Sequence, residues 1–491
     1  SILLGGPHSS KNQYISIGLN GEKTMLPFAG SADVHNALTA LLPILYPFYP
    51  ISLVRRCAQT SNKLFLCILY SQHDSEYLIS SKLMFLLQRY QTNGSYYKLG
   101  GPVFLMIGGE GEISAKWMVS GAWIDYAKKY NALCFQLEHR FYGKSHPTDV
   151  RTVLRNDESP NKWIAFGGSY PGSLAAWLRY KYPHLVYGAI SSSGPLLAKA
   201  DFSEYFDVVK ANLVKESGYL CADTISQVHI ITPMPNKLIP VFFSLCDPLG
   251  DDVLDFTNLN SELSDNIAEV VQYNKDNRAS SLNITITNIC DILTDPSNGG
   301  SLKRFAVLND FIAERSGREC LDYKYDKMIK TYQNTSWEGE DAASPRSWYY
   351  QTCTEFGFYQ TSENPQNLLG SSLPLEFYQK MCTDIYGSEF NEHLLHEAID
   401  ETNTMYGALS LIVDHVVFVH GTVDPWHALG MMKKSYPGAK VIVIKGTAHC
   451  ANMYAPSEND SQELRQARVE ISEVLGSWLS EGHRLNSESQ S

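Results

Sequence analysis

The sequence predicts an α/β protein built on a mostly parallel sheet. Short runs of continuously apolar residues alternate with longer segments of helical character from residue 103 onward. Continuous apolar strands are typical of a parallel sheet that helices cover on both faces. The chain has 491 residues, of which 44% are hydrophobic and 19% charged, so it can bury a large core. Its net charge of -12, with no basic block, argues against a nucleic acid partner.

The order of elements follows from the apolar runs. A strand at 103–107 ends in a glycine-rich loop, a helical segment follows at 113–130, and a second strand lies at 132–138. Further strands are predicted at 163–166, 186–191, 415–420 and 440–444, with a helix at 172–182. An amphipathic helix at 461–480 closes the chain, and five of its apolar side chains are expected to be buried: Leu464, Val469, Ile471, Leu475 and Trp478.

The domain organisation is predicted from the same pattern. Residues 1–85 have no assigned role, and residues 86–199 and 406–491 form two parts of one core. Residues 200–405 read as an inserted, helical lid domain. Six of the ten cysteines lie between positions 221 and 382, which suits a small lid that disulfides hold together. Buried free thiols are the alternative reading.

Cysteine usage and glycosylation motifs together favour the secretory route, so the protein is expected to be secreted or lysosomal. Four Asn-x-Ser/Thr motifs are candidate glycosylation sites: Asn93, Asn283, Asn334 and Asn459. The segment 37–54 is apolar, but it contains three prolines that would each break a helix. We therefore expect no membrane span.

Ser169 is the candidate nucleophile. It follows the apolar run 163–166 and precedes a helix, which predicts a strained strand-to-helix turn that exposes the serine hydroxyl. Gly167 and Gly172 supply small flanks, whereas Pro171 takes the place of the last glycine of the usual G-x-S-x-G pattern. The alternative is a glycine-rich turn with an ordinary serine.

Asp424 and His449 complete the predicted triad. Each lies on a loop after a late strand, and the order Ser, Asp, His is that of α/β-hydrolases. A serine hydroxyl needs a base, and the base needs an acid to orient it. Asp414, His420 and His427 are rival candidates, but Asp414 precedes its strand and would lie at the wrong edge of a parallel sheet.

The oxyanion hole is predicted from two backbone N–H groups. Tyr170 directly follows the nucleophile and is expected to supply one of them. The loop Gly108-Gly109-Glu110-Gly111 is expected to supply the other through Gly109, because glycine lets the backbone approach the substrate closely. A simple turn is the alternative reading of this loop.

Several blocks of the sequence, in order, resemble the serine peptidase family that includes lysosomal Pro-X carboxypeptidase, dipeptidyl peptidase II and thymus-specific serine protease. The ending Gly446 to Cys450 looks more like the thymus-specific branch. The blocks are Gln88-Arg89-Tyr90, Gly100 to Ser145 with Leu137 to Gly143 inside it, Gly167 to Gly172, Ser191 to Pro195, Tyr350 to Glu355 and Asp424 to His427.

The resemblance implies a proline-directed exopeptidase with peptide substrates, the same triad, and no metal or organic cofactor. It also implies three disulfides, Cys221–Cys290, Cys246–Cys320 and Cys353–Cys382, with Cys134 as a buried thiol. A homodimer is a further expectation. Which end of the peptide is trimmed stays open.

Two residues of the predicted substrate pocket, Glu355 and Trp426, each have a functional and a structural interpretation. Glu355 is a candidate for binding a peptide amine, or only makes a structural hydrogen bond. Trp426 is a candidate for packing on a proline ring, or is only a core tryptophan.

The sequence departs from the family pattern in three places, of which residues 1–85, with no resemblance to the family, are the first. Only a short segment, with Pro147 and Pro160, joins the strands before Gly143 and after Lys162, where parallel neighbours need a crossover. Residues 230–243 lack the expected amphipathic helix. An inactive binding protein and an esterase or lipase on the same fold are therefore the alternative functions.

Overall fold

The structure is a computed structural model, and it describes most of the chain from residue 89 onward together with three earlier strands. The described ranges are 54–59, 65–69, 84–87, 89–145, 161–231, 243–275, 283–336, 340–364, 366–433 and 437–481. The predicted short crossover at 143–162 and the segment 230–243 fall largely outside these ranges, as do residues 37–53 of the apolar segment.

A seven-stranded sheet forms the centre of the molecule. Its strand order is β12-β11-β8-β7-β5-β6-β4, and every neighbouring pair is parallel except β6 and β4. This order, with an antiparallel strand at one edge, is that of an α/β-hydrolase. The strands are β4 (Tyr90–Asn93), β5 (Val103–Ile107), β6 (Leu133–Leu137), β7 (Trp163–Gly168), β8 (Gly188–Ser192), β11 (Val416–Gly421) and β12 (Lys440–Ile444).

Two smaller sheets accompany the central one. Strands β1 (Val54–Gln59), β2 (Phe65–Leu69) and β3 (Met84–Leu87) pair antiparallel, and β9 (Lys199–Asp201) pairs parallel with β10 (Gly357–Tyr359). Strands β1 and β2 lie within residues 1–85, the segment that has no predicted role, and β3 crosses its end.

The central sheet is buried on both faces, which explains its continuous apolar strands. Along β7, Ala165 packs with the helices on one face, while Ile164 and Phe166 pack on the other. Helix α1 (Ala122–Tyr130) and helix α12 (Gln462–Ser480) cover the second face. The expectation that Val469 is buried is wrong, because 49% of it is exposed on the outer side of α12, whereas the other four apolar residues are buried.

The predicted helix at 113–130 is interrupted. A short 3₁₀ turn, Ala115–Met118, precedes α1, and Gly121 between them has a φ of 103° that a continuous helix excludes. Helix α2 (Tyr170–Lys181) begins two residues before its predicted start, directly after the serine. Helices α1 and α2 therefore each begin at a junction between a loop and a helix, and both junctions lie within blocks that resemble the family.

A large helical region lies between β8 and β11. Its helices are α3 (Glu204–Ser217), α4 (Tyr219–Ile231), α5 (Val253–Gln272), α6 (Ile286–Thr294), α7 (Ser301–Ser316), α8 (Tyr325–Gln333), α9 (Glu340–Gln351), α10 (Leu375–Tyr386) and α11 (Glu392–Tyr406). The disulfides Cys221–Cys290, Cys246–Cys320 and Cys353–Cys382 join its segments, and these are the pairings that the resemblance implies. Cys134 is a buried free thiol in β6.

Among the described residues, no helix has the length and apolar character needed to cross a membrane.

Candidate active site

Ser169 lies at the turn between β7 and α2, at the carboxyl edge of the sheet. Its backbone has a φ of 63° and a ψ of -137°, which is a strained conformation for a residue with a side chain. The Ser169 N–H donates to the carbonyl of Ser192 at 2.9 Å, and the Gly172 N–H donates to the Ser169 carbonyl at 2.8 Å. These bonds to a neighbouring strand and to the helix hold the strained turn in place.

The glycines beside Ser169 are required by close backbone approach. A Cβ at Gly167 would lie 1.9 Å from the carbonyl oxygen of Pro171, and one at Gly172 would lie 2.7 Å from that of Ser192. Pro171 itself lies in the first turn of α2, where proline needs no hydrogen-bond acceptor. The departure from G-x-S-x-G is therefore compatible with the turn.

Replacing Gly167 with Ala is expected to lower the free energy of unfolding by at least about 3 kcal/mol, because the new Cβ clashes with backbone. Denaturant unfolding followed by tryptophan fluorescence measures the change. Gly300→Ala is the matched control, since a Cβ there meets nothing within 4 Å. Equal stability of the two variants would contradict the required approach at the turn.

His449 and Asp424 come together on the loops that follow β12 and β11. The Nδ1 atom of His449 lies 2.8 Å from Oδ1 of Asp424, and both side chains are buried. The same carboxylate oxygen accepts a hydrogen bond from the Trp426 N–H at 3.0 Å. The carboxylate thus fixes the orientation of the imidazole ring.

The charges of Asp424 and His449 stabilise each other. Burial opposes the charged imidazolium, but the Asp424 carboxylate and the Cys450 thiol outweigh it, so the pKa of His449 is held well above its usual range. Burial likewise opposes the charged carboxylate, and the neighbouring His449 outweighs it, so the pKa of Asp424 is lowered. An ionised acid beside a basic imidazole is the arrangement that a general base requires.

The rival triad candidates have other surroundings. Asp414 precedes β11 and pairs with Arg179 at 2.5 Å, away from His449. His420 is fully buried in β11, and burial lowers its pKa to about 4. His427 bonds through Nδ1 to the backbone carbonyl of Asp424 at 2.6 Å, so it does not contact the carboxylate oxygen that His449 uses.

The two predicted oxyanion donors lie beside Ser169. Tyr170 is the first residue of α2, so its N–H has no acceptor within the helix. Gly109 packs so closely on Pro171 that a Cβ there would lie 2.7 Å from the proline ring. The N–H of Gly108, the residue before Gly109, donates to the carbonyl of Leu137 at 2.7 Å. The N–H of Glu110, the residue after Gly109, donates to its own carboxylate.

One cavity of about 260 Å³ connects these groups. Ser169, His449, Gly109 and Glu110 line it together. Much of the remaining wall is formed by aromatic and apolar residues, namely Met106, Ile107, Ile113, Trp117, Pro171, Tyr273, Met453 and Tyr454. A cavity that brings together a serine hydroxyl, an imidazole paired with a carboxylate, and close backbone N–H groups can carry out acyl transfer.

Trp426 lies within an aromatic cluster close to the Asp424 loop. Its ring centroid is 5.5 Å from Phe202, 5.8 Å from Tyr205 and 5.6 Å from Phe358. The indole is half-buried and donates through Nε1 to Gln272 Oε1 at 2.8 Å. Trp426 is therefore part of a packed aromatic wall that still reaches solvent.

Glu355 lies in a π-helical turn, Thr352–Phe356, after α9. Burial raises its pKa to about 7, against the opposing hydrogen bond from Gln351. Gln351 also donates to the Tyr170 hydroxyl at 2.8 Å and accepts from the Tyr142 hydroxyl at 2.6 Å. A hydrogen-bonded chain thus joins Glu355 to the residue that follows the nucleophile.

Comparison with known proteins gives the family. The family model described as serine carboxypeptidase S28 matches residues 77–155 and 149–471, most of the chain. The chain belongs to the serine carboxypeptidase S28 family. It is a serine peptidase, and its substrates are peptides. The match begins at residue 77, earlier than the core that the sequence predicts from residue 86.

Relatives of this S28 peptidase span nearly the same length. A Caenorhabditis elegans relative named as a serine protease is 36% identical over 430 residues, which cover 80% of this chain and 84% of the relative. Human thymus-specific serine protease is 31% identical over 446 residues, 82% of this chain and 84% of its own. Human lysosomal Pro-X carboxypeptidase is 25% identical over 488 residues, 90% and 93% of the two chains.

Sequence reasoning missed some residues that the S28 fold brings to this site. The carbonyl of Gln272, at the end of α5, accepts a hydrogen bond from the His449 N–H at 2.9 Å. Its side chain accepts from Trp426 and from the Tyr205 hydroxyl, both at 2.8 Å. No local pattern could reveal Gln272, whereas Gln351 stands within a family block that the resemblance already singles out.

Proposed function

We propose that this S28 peptidase cleaves peptides through Ser169, His449 and Asp424. The observation that carries the proposal is the 2.8 Å contact between His449 Nδ1 and Asp424 Oδ1, with His449 and Ser169 lining one cavity. That contact leaves Nε2 of His449 as the atom that can accept the serine proton.

The reaction has two stages. His449 takes the proton of the Ser169 hydroxyl as its oxygen attacks the peptide carbonyl, and the oxyanion that forms accepts hydrogen bonds from the Tyr170 and Gly109 N–H groups. His449 then gives its proton to the leaving amine, which leaves an acyl-enzyme. Water, activated by the same imidazole, attacks the acyl carbonyl, and the Ser169 oxygen departs with a proton.

The substrates that we propose are short peptides cut next to proline near one end. The helical region contacts the catalytic loop, since Gln272 bonds to the His449 N–H and the Tyr273 ring meets the imidazole edge-on at 5.9 Å. Such a cover restricts access to chain ends, which supports an exopeptidase with residues 200–405 as its lid. The aromatic cluster around Trp426 offers a flat wall for a proline ring.

We further propose that the protein works in an oxidising compartment, either outside the cell or in lysosomes. Three disulfides support this, because reduced cytosol does not favour them. Asn283, Asn334 and Asn459 are exposed and suit glycosylation, whereas Asn93 is half-buried and donates to the Met118 carbonyl at 2.7 Å. A homodimer stays a prediction.

Digestion of a mixed peptide library, with mass spectrometry of the products, tests this proposal. We expect products shortened at one end, with proline next to the cut, and none from peptides whose proline is internal and remote from both ends. Cuts within long peptides, without regard to proline, would contradict the proposed exopeptidase.

A further inference from the structure

The cavity at Ser169 contains side-chain oxygens that pair with no lysine or arginine among the described residues. Glu110 lines it, and the carboxylate of Glu110 forms no ion pair in the described part of the chain. Burial raises the pKa of this carboxyl, and the charge of His449 only partly opposes that effect. A carboxylate in such a place is costly unless a positive group completes it.

A second, independent acceptor lies in the same cavity. Gln136, on β6, also lines it and is only 4% exposed, and its Oε1 has no hydrogen-bond partner. Buried side-chain oxygens are nearly always bonded, so an orphan beside a functional cavity points to a donor that arrives with a ligand.

The nearby cations are held at the cavity wall by Glu112, which itself lines the cavity. Arg89 and Lys144 both pair with Glu112, and Arg89 also lies 3.3 Å from Glu138. No lysine or arginine is among the described residues that line the cavity. The imidazole of His449 already pairs with Asp424, so a terminal carboxylate would find no lysine or arginine to bind it there, whereas an ammonium group would find two acceptors.

Glu355 adds negative charge on the neighbouring side. Burial raises the pKa of the Tyr170 and Tyr142 phenols, and the charges of Glu355 and Glu110 both add to that effect. The two carboxylates therefore act on the same pair of hydroxyls beside the nucleophile. Within the described chain, Glu355 also has no ion-pair partner.

We propose that this cavity binds the protonated amino end of the peptide substrate, with Glu110 and Gln136 as acceptors, so that the enzyme trims peptides from the amino end. The inference rests on the proposed function and decides which end is cut. An extended residue spans about 3.5 Å, so an amine held in a cavity that Ser169 itself lines is one or two residues from the scissile bond.

Two reporter amides that differ only at the amino group test this inference. One is alanyl-prolyl amide with a free amine, and the other is its N-acetyl form. We expect kcat/KM for the free amine to exceed that for the acetylated reporter by at least about 100-fold, since acetylation removes the charge and leaves the acceptors unpaired.

Glu110→Gln is expected to lower the ratio of kcat/KM for the free amine to kcat/KM for the acetylated reporter by about 30-fold, since only the free amine loses a charged partner. Gln136→Leu is expected to lower the first value by about tenfold. A fluorophosphonate should still label Ser169 in both variants, which shows that the fold and the triad are intact. Glu463→Gln, an exposed charge in the first turn of α12, is the matched control.

Equal turnover of the two reporters, or an equal loss on both in Glu110→Gln, would overturn the inference while the proposed function stands. Release of single residues from the carboxyl end of an N-acetylated peptide would do the same. Failure of a fluorophosphonate to label Ser169 would instead overturn the proposed function, and this inference with it.

Discussion

Replacing Ser169 with Ala is expected to lower kcat/KM for a proline-containing reporter by at least about 10⁴-fold and to abolish covalent labelling by a fluorophosphonate. The reason is that alanine leaves His449 without a hydroxyl to deprotonate. Residual turnover would come only from substrate binding and the backbone N–H groups of the oxyanion hole. Single-turnover kinetics and a gel-based labelling assay measure both effects.

The Ser169→Ala variant should fold normally. Its strained φ of 63° is less costly for a small side chain than for a β-branched one, and the backbone bonds to Ser192 and Gly172 remain. Ser120→Ala is the control, since Ser120 lies outside the cavity and bonds only to the Lys116 carbonyl nearby. Labelling that persists in Ser169→Ala, or that disappears in Ser120→Ala, would remove Ser169 from its proposed role.

Much of the fold could be predicted because local sequence encodes it. Strands β5, β7 and β11 are apolar and buried over most of their length, since helices cover both faces of the sheet there. Chain order then places the loops after β7, β11 and β12 at one edge. That edge is where the polar residues Ser169, Asp424 and His449 occur.

The positions that the sequence predicted wrongly depend on packing around a helix. Val469 fits the apolar period of α12, but the helix turns that position toward solvent, and only a three-dimensional neighbour could show it. The break before α1 depends on Gly121. A Cβ there would lie 3.1 Å from both the Trp117 ring and the Met453 carbonyl, a contact with a residue far away in the chain.

The substrate side of the site was the least predictable. Glu110 lies in the loop that the sequence assigns to the oxyanion hole, yet only the fold shows that it lines one cavity with Gln136 and His449. Glycines attract attention to the backbone of such a loop, and the acid between them carries no pattern of its own. Glu110 lies on a loop and Gln136 on a separate strand, so no local sequence pattern shows that the two residues line one cavity.

Asp424→Asn is expected to lower kcat/KM by about 10⁴-fold at neutral pH, although the side chain keeps its size. An amide can donate to Nδ1 of His449, which favours the tautomer whose Nε2 carries the proton and cannot accept one from Ser169. The 2.8 Å contact that orients the ring would persist with the wrong polarity. Steady-state kinetics on the free-amine reporter measure the loss.

The same variant should change the pH profile in a defined direction. In the native protein, the Asp424 carboxylate outweighs burial and raises the pKa of His449, so His449 becomes a neutral base only as pH rises through that raised value. Without the charge the pKa falls, and the acid limb of kcat/KM moves to lower pH. The ratio of kcat/KM in the native enzyme to kcat/KM in Asp424→Asn therefore becomes smaller as pH falls.

Asp414→Asn separates this effect from a general loss of acid charge. Asp414 pairs with Arg179 at the opposite edge of the sheet, so its replacement should leave kcat/KM within about threefold and the acid limb in place. A shift of the acid limb in Asp414→Asn, with none in Asp424→Asn, would mean that a different carboxylate orients His449. Because the Asp424 carboxylate lies 2.8 Å from Nδ1 of His449, we expect the shift in Asp424→Asn and not in Asp414→Asn.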